Sequence, residues 1–178
     1  MSRSSLYDNL SSFLRSTVLG FILCLFMLMA SSFVNPSLAQ SGSQVAPAFN
    51  VTSLNGEHFS NFKLEGERAL LMFWAPWCGV CQRELPKIAR FYQRDMPDDL
   101  QVLTIGSSAS LKQVEQYVDE HPRTFVFPTA HDANKSIAEN FNIRAFPTYI
   151  LLDEDGTILL IRRGGGILND QRFHQLTQ

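Results

Sequence analysis

Apolar and polar positions alternate along most of the chain in patterns that predict strands and helices in turn. Residues 69–74 are all apolar, which is typical of a strand buried on both faces of a sheet. From residue 78 to about 92 the apolar positions recur at helical spacing, and Pro86 within this stretch should kink the helix. A second strand is expected at 100–105, and a helix should open at Ser110. The apolar face of that helix is expected to include Leu111, Val114, Tyr117 and Val118. This order indicates an α/β fold.

Turn signals predict a β-hairpin at each end of this region. Residues 49–54 and 57–59 flank Asn55-Gly56, a pair that supplies the positive φ angles of a tight primed turn. The later elements are a short strand at 125–127, a short helix at 134–141, hairpin strands at 148–152 and 157–161, and a closing helix at 168–176. The pattern therefore predicts a mixed central sheet with helices on both faces and an added N-terminal β-hairpin.

A 13-residue apolar run, Val18–Ala30, follows two arginines near the N-terminus. It is shorter than the roughly 20 residues of a usual spanning helix. Small residues in Ser37-Leu38-Ala39 suit cleavage before Gln40, as in a signal peptide. The alternative is a retained membrane anchor over residues 18–34, which has the minimum length for a span.

Composition and charge fit a single globular domain behind this segment. The 178 residues are 45 % apolar and 18 % charged, and the formal net charge is −2. A near-neutral chain without a basic stripe is not expected to bind nucleic acid. We therefore predict a signal peptide or anchor at 1–39, a linker at 40–46 and one domain at 47–178.

Three cysteines are present, and their positions separate them into two groups. Cys24 lies inside the export segment, whereas Cys78 and Cys81 are only two residues apart from each other. A disulfide that closes so short a loop removes little entropy from the unfolded chain, so a purely structural bridge is a weak interpretation. The pair is better explained as a redox centre.

The position of the pair between a predicted strand and a predicted helix favours thiolate chemistry. Cys78 stands where the helix begins, near unpaired N–H groups and the positive end of the helix dipole. Such sites lower a cysteine pKa from about 8.5 into a range of about 3.5 to 7.5. Cys78 is therefore predicted to attack a client disulfide, and Cys81 to resolve the mixed disulfide. The geometry leaves open whether the protein reduces or forms disulfides.

Two other functions can use cysteines in a chain of this kind. A copper- or zinc-binding delivery module would use both thiolates with a histidine, but the four histidines are scattered and none is placed as a third ligand. A peroxidase would normally present one isolated peroxidatic cysteine. Thiol-disulfide exchange remains the leading hypothesis, and neither a metal nor another cofactor is expected.

The residues around the pair resemble the thioredoxin superfamily, specifically its exported branch of proteins that reduce apocytochromes or other extracytoplasmic disulfides. The resemblance rests on the run Phe73-Trp-Ala-Pro-Trp-Cys-Gly-Val-Cys81, on Glu84-Leu85-Pro86 and on Phe146-Pro147-Thr148, and it covers about residues 47–178. It implies a thioredoxin-like fold and a cis bond before Pro147 across from the cysteines. It also implies that Phe146 and Pro147 contact the client, with the backbone of Phe146 pairing to an extended client segment. Trp77 is a further candidate for client contact, with packing around the site as the alternative interpretation.

Two positions depart from the patterns of that superfamily. Met72 stands where cytosolic thioredoxins carry a buried Asp, and Ser107 stands where several cytochrome-maturation reductases carry a Glu. A specific role in cytochrome c maturation is therefore less supported than the exchange chemistry. Glu84 is the nearest acidic residue that could tune the cysteines, with a solvated helix residue as the alternative. Gly164-Gly165-Gly166 predicts a chain reversal and lacks the Lys-Ser or Lys-Thr of a phosphate loop.

Location and partners follow from the export signal and the resemblance. We expect an extracytoplasmic protein, in a periplasm or an equivalent such as a thylakoid lumen, either soluble after cleavage near Ala39 or anchored by residues 18–34. We expect the protein to act as a reductase of client disulfides, with a disulfide-forming oxidase of the same fold as the alternative. Its expected partners are client proteins with disulfides or thiols and an electron donor in the membrane. The sequence does not predict the oligomeric state or the identity of the clients.

Overall fold

A computed structural model of the protein describes residues 44–64 and 66–178, and the elements are numbered from residue 44 onward. The strands are β1 (Asn50–Thr52), β2 (His58–Ser60), β3 (Arg68–Trp74), β4 (Leu100–Gly106), β5 (Thr129–His131), β6 (Thr148–Leu152) and β7 (Ile158–Arg163). The helices are α1 (Asn61–Leu64), α2 (Gly79–Arg94), α3 (Leu111–Glu120), α4 (Ser136–Asn140) and α5 (Gln171–Leu176), with a 3-10 turn at Ile167–Asn169. In this described part of the chain, none of the helices has the length and apolar character needed to cross a membrane. The predicted export segment at 1–39 and linker residues 40–43 lie outside the described residues.

Five strands form the central sheet in the order β5-β4-β3-β6-β7. Strands β3, β4 and β5 are parallel, whereas β6 runs antiparallel to both β3 and β7. Strands β1 and β2 form a separate antiparallel pair with Val51 opposite Phe59. The predicted mixed α/β sheet with an added N-terminal hairpin is confirmed.

Alternate residues of β3 point to opposite faces of the sheet, and each face has its own apolar cluster. Leu70, Met72 and Trp74 pack with the cysteine pair, α2, α3 and the C-terminal Phe173. Residues 69, 71 and 73 pack with the hairpin and α4 on the other face. All of β3 from residue 69 to 74 is buried, as predicted for a central strand.

The first hairpin turn differs from the predicted primed turn. The N–H of Gly56 donates to the carbonyl of Ser53 at 2.9 Å, and of the two central residues only Gly56 has a positive φ, of 88°. Ser53 donates its own N–H to the carbonyl of Glu57 at 2.7 Å, so the connection is longer than two residues. One glycine in the left-handed region is enough for this wider turn.

Three further expectations were wrong in detail. Residues 125–127 form no strand, because Pro128 lacks an N–H and the aromatic side chains of Phe125 and its neighbours pack around Trp74 and Tyr92 instead. Leu111, expected on the apolar face of α3, is exposed. The closing helix is divided at Asp170, which ends the 3-10 turn and caps α5.

Candidate active site

The cysteine pair lies at the start of α2, directly after the central strand β3. Cys78 and Cys81 form a disulfide, with a distance of 5.2 Å between their Cα atoms. Cys81 has no exposed surface, whereas Cys78 retains an exposed fraction of 7 %. Of the two cysteines, Cys78 is thus the less deeply buried residue.

Cys78 is the N-cap of α2, as the strand-to-helix pattern predicted. Its backbone is extended, with φ −84° and ψ 101°, and its Sγ accepts the N–H of Cys81 at 3.1 Å. Its carbonyl accepts the N–H of Gln82 at 3.0 Å, which begins the helical ladder. A cysteine sulfur at the N-terminus of a helix that accepts a helix N–H is stabilised as a thiolate once the disulfide is reduced.

Trp77, which directly precedes Cys78, meets Phe146 from a distant segment of the chain. Their rings meet edge to face with centroids 5.8 Å apart. Trp77 keeps an exposed fraction of 62 %, while its Nε1–H donates to the carbonyl of Ser108 at 3.0 Å. The Phe146–Pro147 bond is cis, as the resemblance implied, and Pro147 is buried. Within the described part of the chain, the backbone of Phe146 has no hydrogen-bond partner.

Glu84 lies one turn after Cys81 on α2 and is buried, with an exposed fraction of 5 %. Its Oε1 accepts a hydrogen bond from Lys87 Nζ at 2.7 Å. Its Oε2 accepts the N–H of Gly166 at 2.6 Å and the hydroxyl of Tyr149 at 3.4 Å. The alternative of a solvated helix residue is therefore wrong for Glu84.

These contacts determine the ionisation of Glu84. Burial opposes the charged form, but the hydrogen bond and charge of Lys87, the N–H of Gly166 and the Tyr149 hydroxyl outweigh it and hold the pKa of Glu84 below its ordinary value of 4.5. Burial raises the pKa of Tyr149 far above its ordinary value, and the neighbouring charge of Glu84 raises it further. At neutral pH the site thus holds a carboxylate and a neutral phenol.

Sequence reasoning missed the residues that hold Glu84. Lys87, Tyr149 and Gly166 were not singled out for this role, and the glycine run was interpreted only as a chain reversal. The run also contacts the cis-proline segment, because the N–H of Gly164 donates to the carbonyl of Pro147 at 2.8 Å. Three successive glycines directly after a hairpin were a signal that the backbone is approached closely there.

Met72 and Ser107, the two departures from the thioredoxin pattern, have structural roles. Met72 is fully buried on the face of the sheet that carries the disulfide, and it lies opposite Tyr149 in the β3–β6 register. Ser107 donates its hydroxyl to Asp132 Oδ2 at 3.1 Å, and this carboxylate accepts two N–H groups of α4. Ser107 therefore anchors a helix on its side of the sheet.

Metal-ligating side chains are dispersed within residues 44–64 and 66–178. No three His, Cys, Asp or Glu residues in these ranges lie close enough together to hold an ion. His131 and His174 each hydrogen-bond a backbone carbonyl, of Ala109 at 2.9 Å and of Leu168 at 2.7 Å. Neither histidine is paired with the cysteines.

Comparison with known proteins agrees with this geometry. The Redoxin family model matches residues 40–172. The chain is 36 % identical over 128 residues to the thioredoxin-like protein YneN of Bacillus subtilis, covering 70 % of this chain and 72 % of that one. It is 29 % identical over 140 residues to the thiol-disulfide oxidoreductase ResA of Halalkalibacterium halodurans, covering 79 % and 78 %. The crystal structure of StoA from Bacillus subtilis is similar, with a TM-score of 0.62 and 28 % identity over 75 % of this chain and 96 % of that one. The chain therefore belongs to the Redoxin family and is a thiol-disulfide oxidoreductase with a thioredoxin-like fold.

Proposed function

We propose that the protein works outside the cytoplasm, where it reduces disulfides of client proteins through Cys78 and Cys81. The observation that carries the proposal is the asymmetry of the pair: Cys78 caps a helix and reaches the surface, while Cys81 is fully buried. A reactive thiolate needs access to its partner, and a resolving thiol needs only the first sulfur. This supports Cys78 as the attacking residue.

The exchange proceeds in two balanced steps. The Cys78 thiolate attacks one sulfur of the client disulfide, a mixed disulfide forms, and the other client sulfur leaves as a thiolate. Cys81 then loses its proton and attacks Cys78 Sγ, and the second client sulfur leaves. The client gains two electrons, and the Cys78–Cys81 disulfide forms. A membrane-bound dithiol donor is proposed to return the protein to its reduced form.

Client binding is proposed along Trp77, Phe146 and Pro147. The two aromatic rings form an apolar border beside the disulfide. The backbone of Phe146, which lacks a partner among the described residues, supports pairing with an extended client segment. Recognition through main-chain groups would accept clients of varied sequence.

We propose that Glu84 controls the protonation of the cysteine pair, since position 72 carries no acid. Residues three apart on a helix are neighbours on its surface, so Glu84 and Cys81 lie on the same buried side of α2. Glu84 is the acidic side chain placed to accept the Cys81 proton during resolution. Its hydrogen bonds to Gly166 and Tyr149 fix the position from which it would do so.

The extracytoplasmic location and the reductive direction are supported by sequence features. The apolar run at 18–30, with arginines before it and Ser37-Leu38-Ala39 after it, supports export. The motif from residue 73 to 81 resembles that of exported reductases, which supports the reductive direction. We propose that residues 1–39 serve this export, either as a signal peptide that is cleaved or as an anchor that is retained.

Trapping of mixed disulfides tests the roles of the two cysteines. In a background with Cys24→Ser, so that the export segment cannot react, we expect Cys81→Ser to accumulate mixed disulfides with client proteins. Cys78→Ser should accumulate none, because Cys81 is inaccessible. Non-reducing electrophoresis followed by mass spectrometry of the trapped species gives the measurement and identifies the clients.

Two outcomes would count against the proposal. Trapping by Cys78→Ser alone would reverse the assignment of the nucleophile. Absence of trapped proteins from both variants, with the doubly substituted protein as baseline, would exclude client exchange through this pair.

A further inference from the structure

One peptide group of the glycine run lies between a cation and the buried carboxylate. The carbonyl of Gly165 accepts hydrogen bonds from Arg162 Nε at 3.1 Å and Nη2 at 3.0 Å. The N–H of Gly166, on the other side of the same peptide bond, donates to Glu84 Oε2 at 2.6 Å. A hydrogen bond to the oxygen of an amide polarises it and strengthens its N–H as a donor.

We propose that Arg162 is a positioning residue for Glu84, acting through the Gly165–Gly166 peptide, and that it thereby controls the proton step at Cys81. The inference rests on the proposed function, in which Cys81 resolves the mixed disulfide beside Glu84. It extends the site by a residue from β7 that touches neither cysteine nor client.

The packing around the glycines explains why this contact needs positions without side chains. A Cβ at Gly165 would lie 2.9 Å from Glu84 Cδ, and a Cβ at Gly166 would lie 3.3 Å from Arg162 Nη2. Gly166 also has a φ of 86°, in the left-handed region. Both charged side chains can therefore approach the peptide from opposite ends.

Arg162 is itself held in place. Its Nη1 pairs with Asp170 Oδ2 at 3.0 Å, and this carboxylate also caps α5 through the N–H of Arg172. Arg162 lies opposite Tyr149 in the β6–β7 register, and Tyr149 donates to Glu84. The guanidinium is thus fixed by an anion on one side and a carbonyl on the other.

The charged and titratable groups facing Glu84 come from several elements. Lys87 and Cys81 lie on α2, Tyr149 is on β6, and Arg162 on β7 acts through the peptide group. Lys87 is half-exposed and donates to Oε1, whereas the peptide donates to Oε2. Removal of the Arg162 side chain therefore weakens the hydrogen bond from the peptide to Oε2 and leaves the hydrogen bond from Lys87 to Oε1 in place.

The test compares Arg162→Gln with Arg163→Gln. Arg163 is the next residue on β7 and is exposed, and its side chain makes no hydrogen bond or ion pair within the described residues, so its loss removes the same charge without the contact. Two quantities are measured: the pKa of the Glu84 carboxyl by ¹³C NMR in the oxidised protein, and the pH profile of mixed-disulfide resolution by Cys81. Arg162→Lys, which keeps the charge but cannot form both hydrogen bonds to the Gly165 carbonyl, is measured alongside.

We expect Arg162→Gln to raise the pKa of Glu84 by roughly 0.5 to 1, the effect of weakening one hydrogen bond to a charged group. The midpoint of the resolution profile should move in the same direction. Arg163→Gln should leave both unchanged, and Arg162→Lys should fall between wild type and Arg162→Gln. The NMR measurement needs no client and is independent of the direction of electron flow.

The proposal is overturned if Arg162→Gln and Arg163→Gln shift the Glu84 pKa equally, because the effect would then be one of net charge. It is also overturned if neither shifts it, whatever the trapping experiment gives. A shifted pKa with an unchanged resolution profile would separate Glu84 from the proton step and overturn the proposal, while client exchange itself would stand. If Arg162→Gln does not fold, an unshifted pKa in Arg162→Lys overturns the proposal in the same way.

Discussion

The side chain of Glu84 carries a charge into the interior of the domain, one helical turn after the second cysteine of the disulfide. An isolated buried carboxylate is costly, and breaking a buried pair by removing one partner typically costs about 3 to 5 kcal/mol. Glu84 keeps its charge because Lys87, Gly166 and Tyr149 each supply a donor. Its ionisation is therefore coupled to the stability of the folded protein.

The effect of pH on stability follows from the sign of the shift. The pKa of Glu84 is lower in the folded protein than its ordinary value of 4.5, so the unfolded chain binds more protons between the two values. The stabilisation from Glu84 is complete above the unfolded value and is lost as pH falls through the folded one. We expect Glu84→Gln to remove this contribution, so that the stability difference from wild type is constant at pH values well above 4.5 and shrinks as the pH falls below 4.5.

Denaturant unfolding of the oxidised protein at several pH values measures this difference without interference from thiols. Glu115→Gln on α3 is a matched control, since the Glu115 side chain is exposed and has no hydrogen bond or ion pair within the described residues. A stability difference that grows toward acid pH would contradict the assigned direction.

Among the elements, α3 packs closely on the end of β4 next to the disulfide. A Cβ at Gly106 would lie 2.9 and 3.0 Å from the two Cγ atoms of Val114, which is fully buried. The next residue, Ser107, donates its N–H to the carbonyl of Trp74 at 2.9 Å and so joins the ends of β4 and β3. Displacement of α3 would therefore reach the segment before Cys78.

We predict that Gly106→Ala lowers the free energy of unfolding by about 1 to 3 kcal/mol, because the added methyl group overpacks this contact. In a Val114→Ala background, which empties the same space, Gly106→Ala should cost much less. A double-mutant cycle by denaturant unfolding gives the coupling energy directly.

Gly79→Ala serves as the control for this cycle, since its Cβ would meet only Arg83 Nη1 at an ordinary distance of 3.7 Å. Equal costs of Gly106→Ala in both backgrounds would show that backbone conformation at residue 106, and not Val114, limits this position.

At the scale of the whole molecule, the disulfide links folding to redox state. The bridge spans a sequence separation of three residues, so loop closure contributes little to the difference in stability between oxidised and reduced protein. That difference instead reports how the folded domain favours the disulfide or the dithiol. It therefore bears on the direction of electron flow.

We expect the oxidised protein to have the larger free energy of unfolding, as a reductase requires. Each 30 mV or so by which the potential of the folded protein lies below that of the unfolded pair adds about 1.4 kcal/mol to this difference. Paired denaturant unfolding curves of the two forms measure it. A more stable reduced form would favour a disulfide-forming oxidase.

The architecture was predictable because its signals are local and strong. The apolar run at 69–74 and the turn at 153–156 specify β3 and the β6–β7 hairpin within a few residues. The strand predicted at 125–127 is wrong, since aromatic residues satisfy a strand pattern whether or not a neighbouring strand is available. Packing of Phe125 against Trp74 and the missing N–H of Pro128 keep these residues out of the sheet.

The candidate site was predictable only where it is contiguous in sequence. Cys78 and Cys81 are recognisable from their spacing and from the strand-to-helix transition around them. The burial of Glu84 depends on Tyr149 and Gly166, which are 65 and 82 residues away along the chain. No periodicity within α2 contains this information, and the contact exists only after β6 and β7 have joined the sheet.

The close approach at Gly165 has an evolutionary consequence. Since a Cβ there would lie 2.9 Å from Glu84 Cδ, a side chain at 165 would force the Glu84 carboxylate out of its present position. A lineage that loses the carboxylate at 84 would release 165 from this constraint. Among descendants of this protein, a residue larger than glycine at 165 should therefore mark a redox centre in which this acid is displaced or absent.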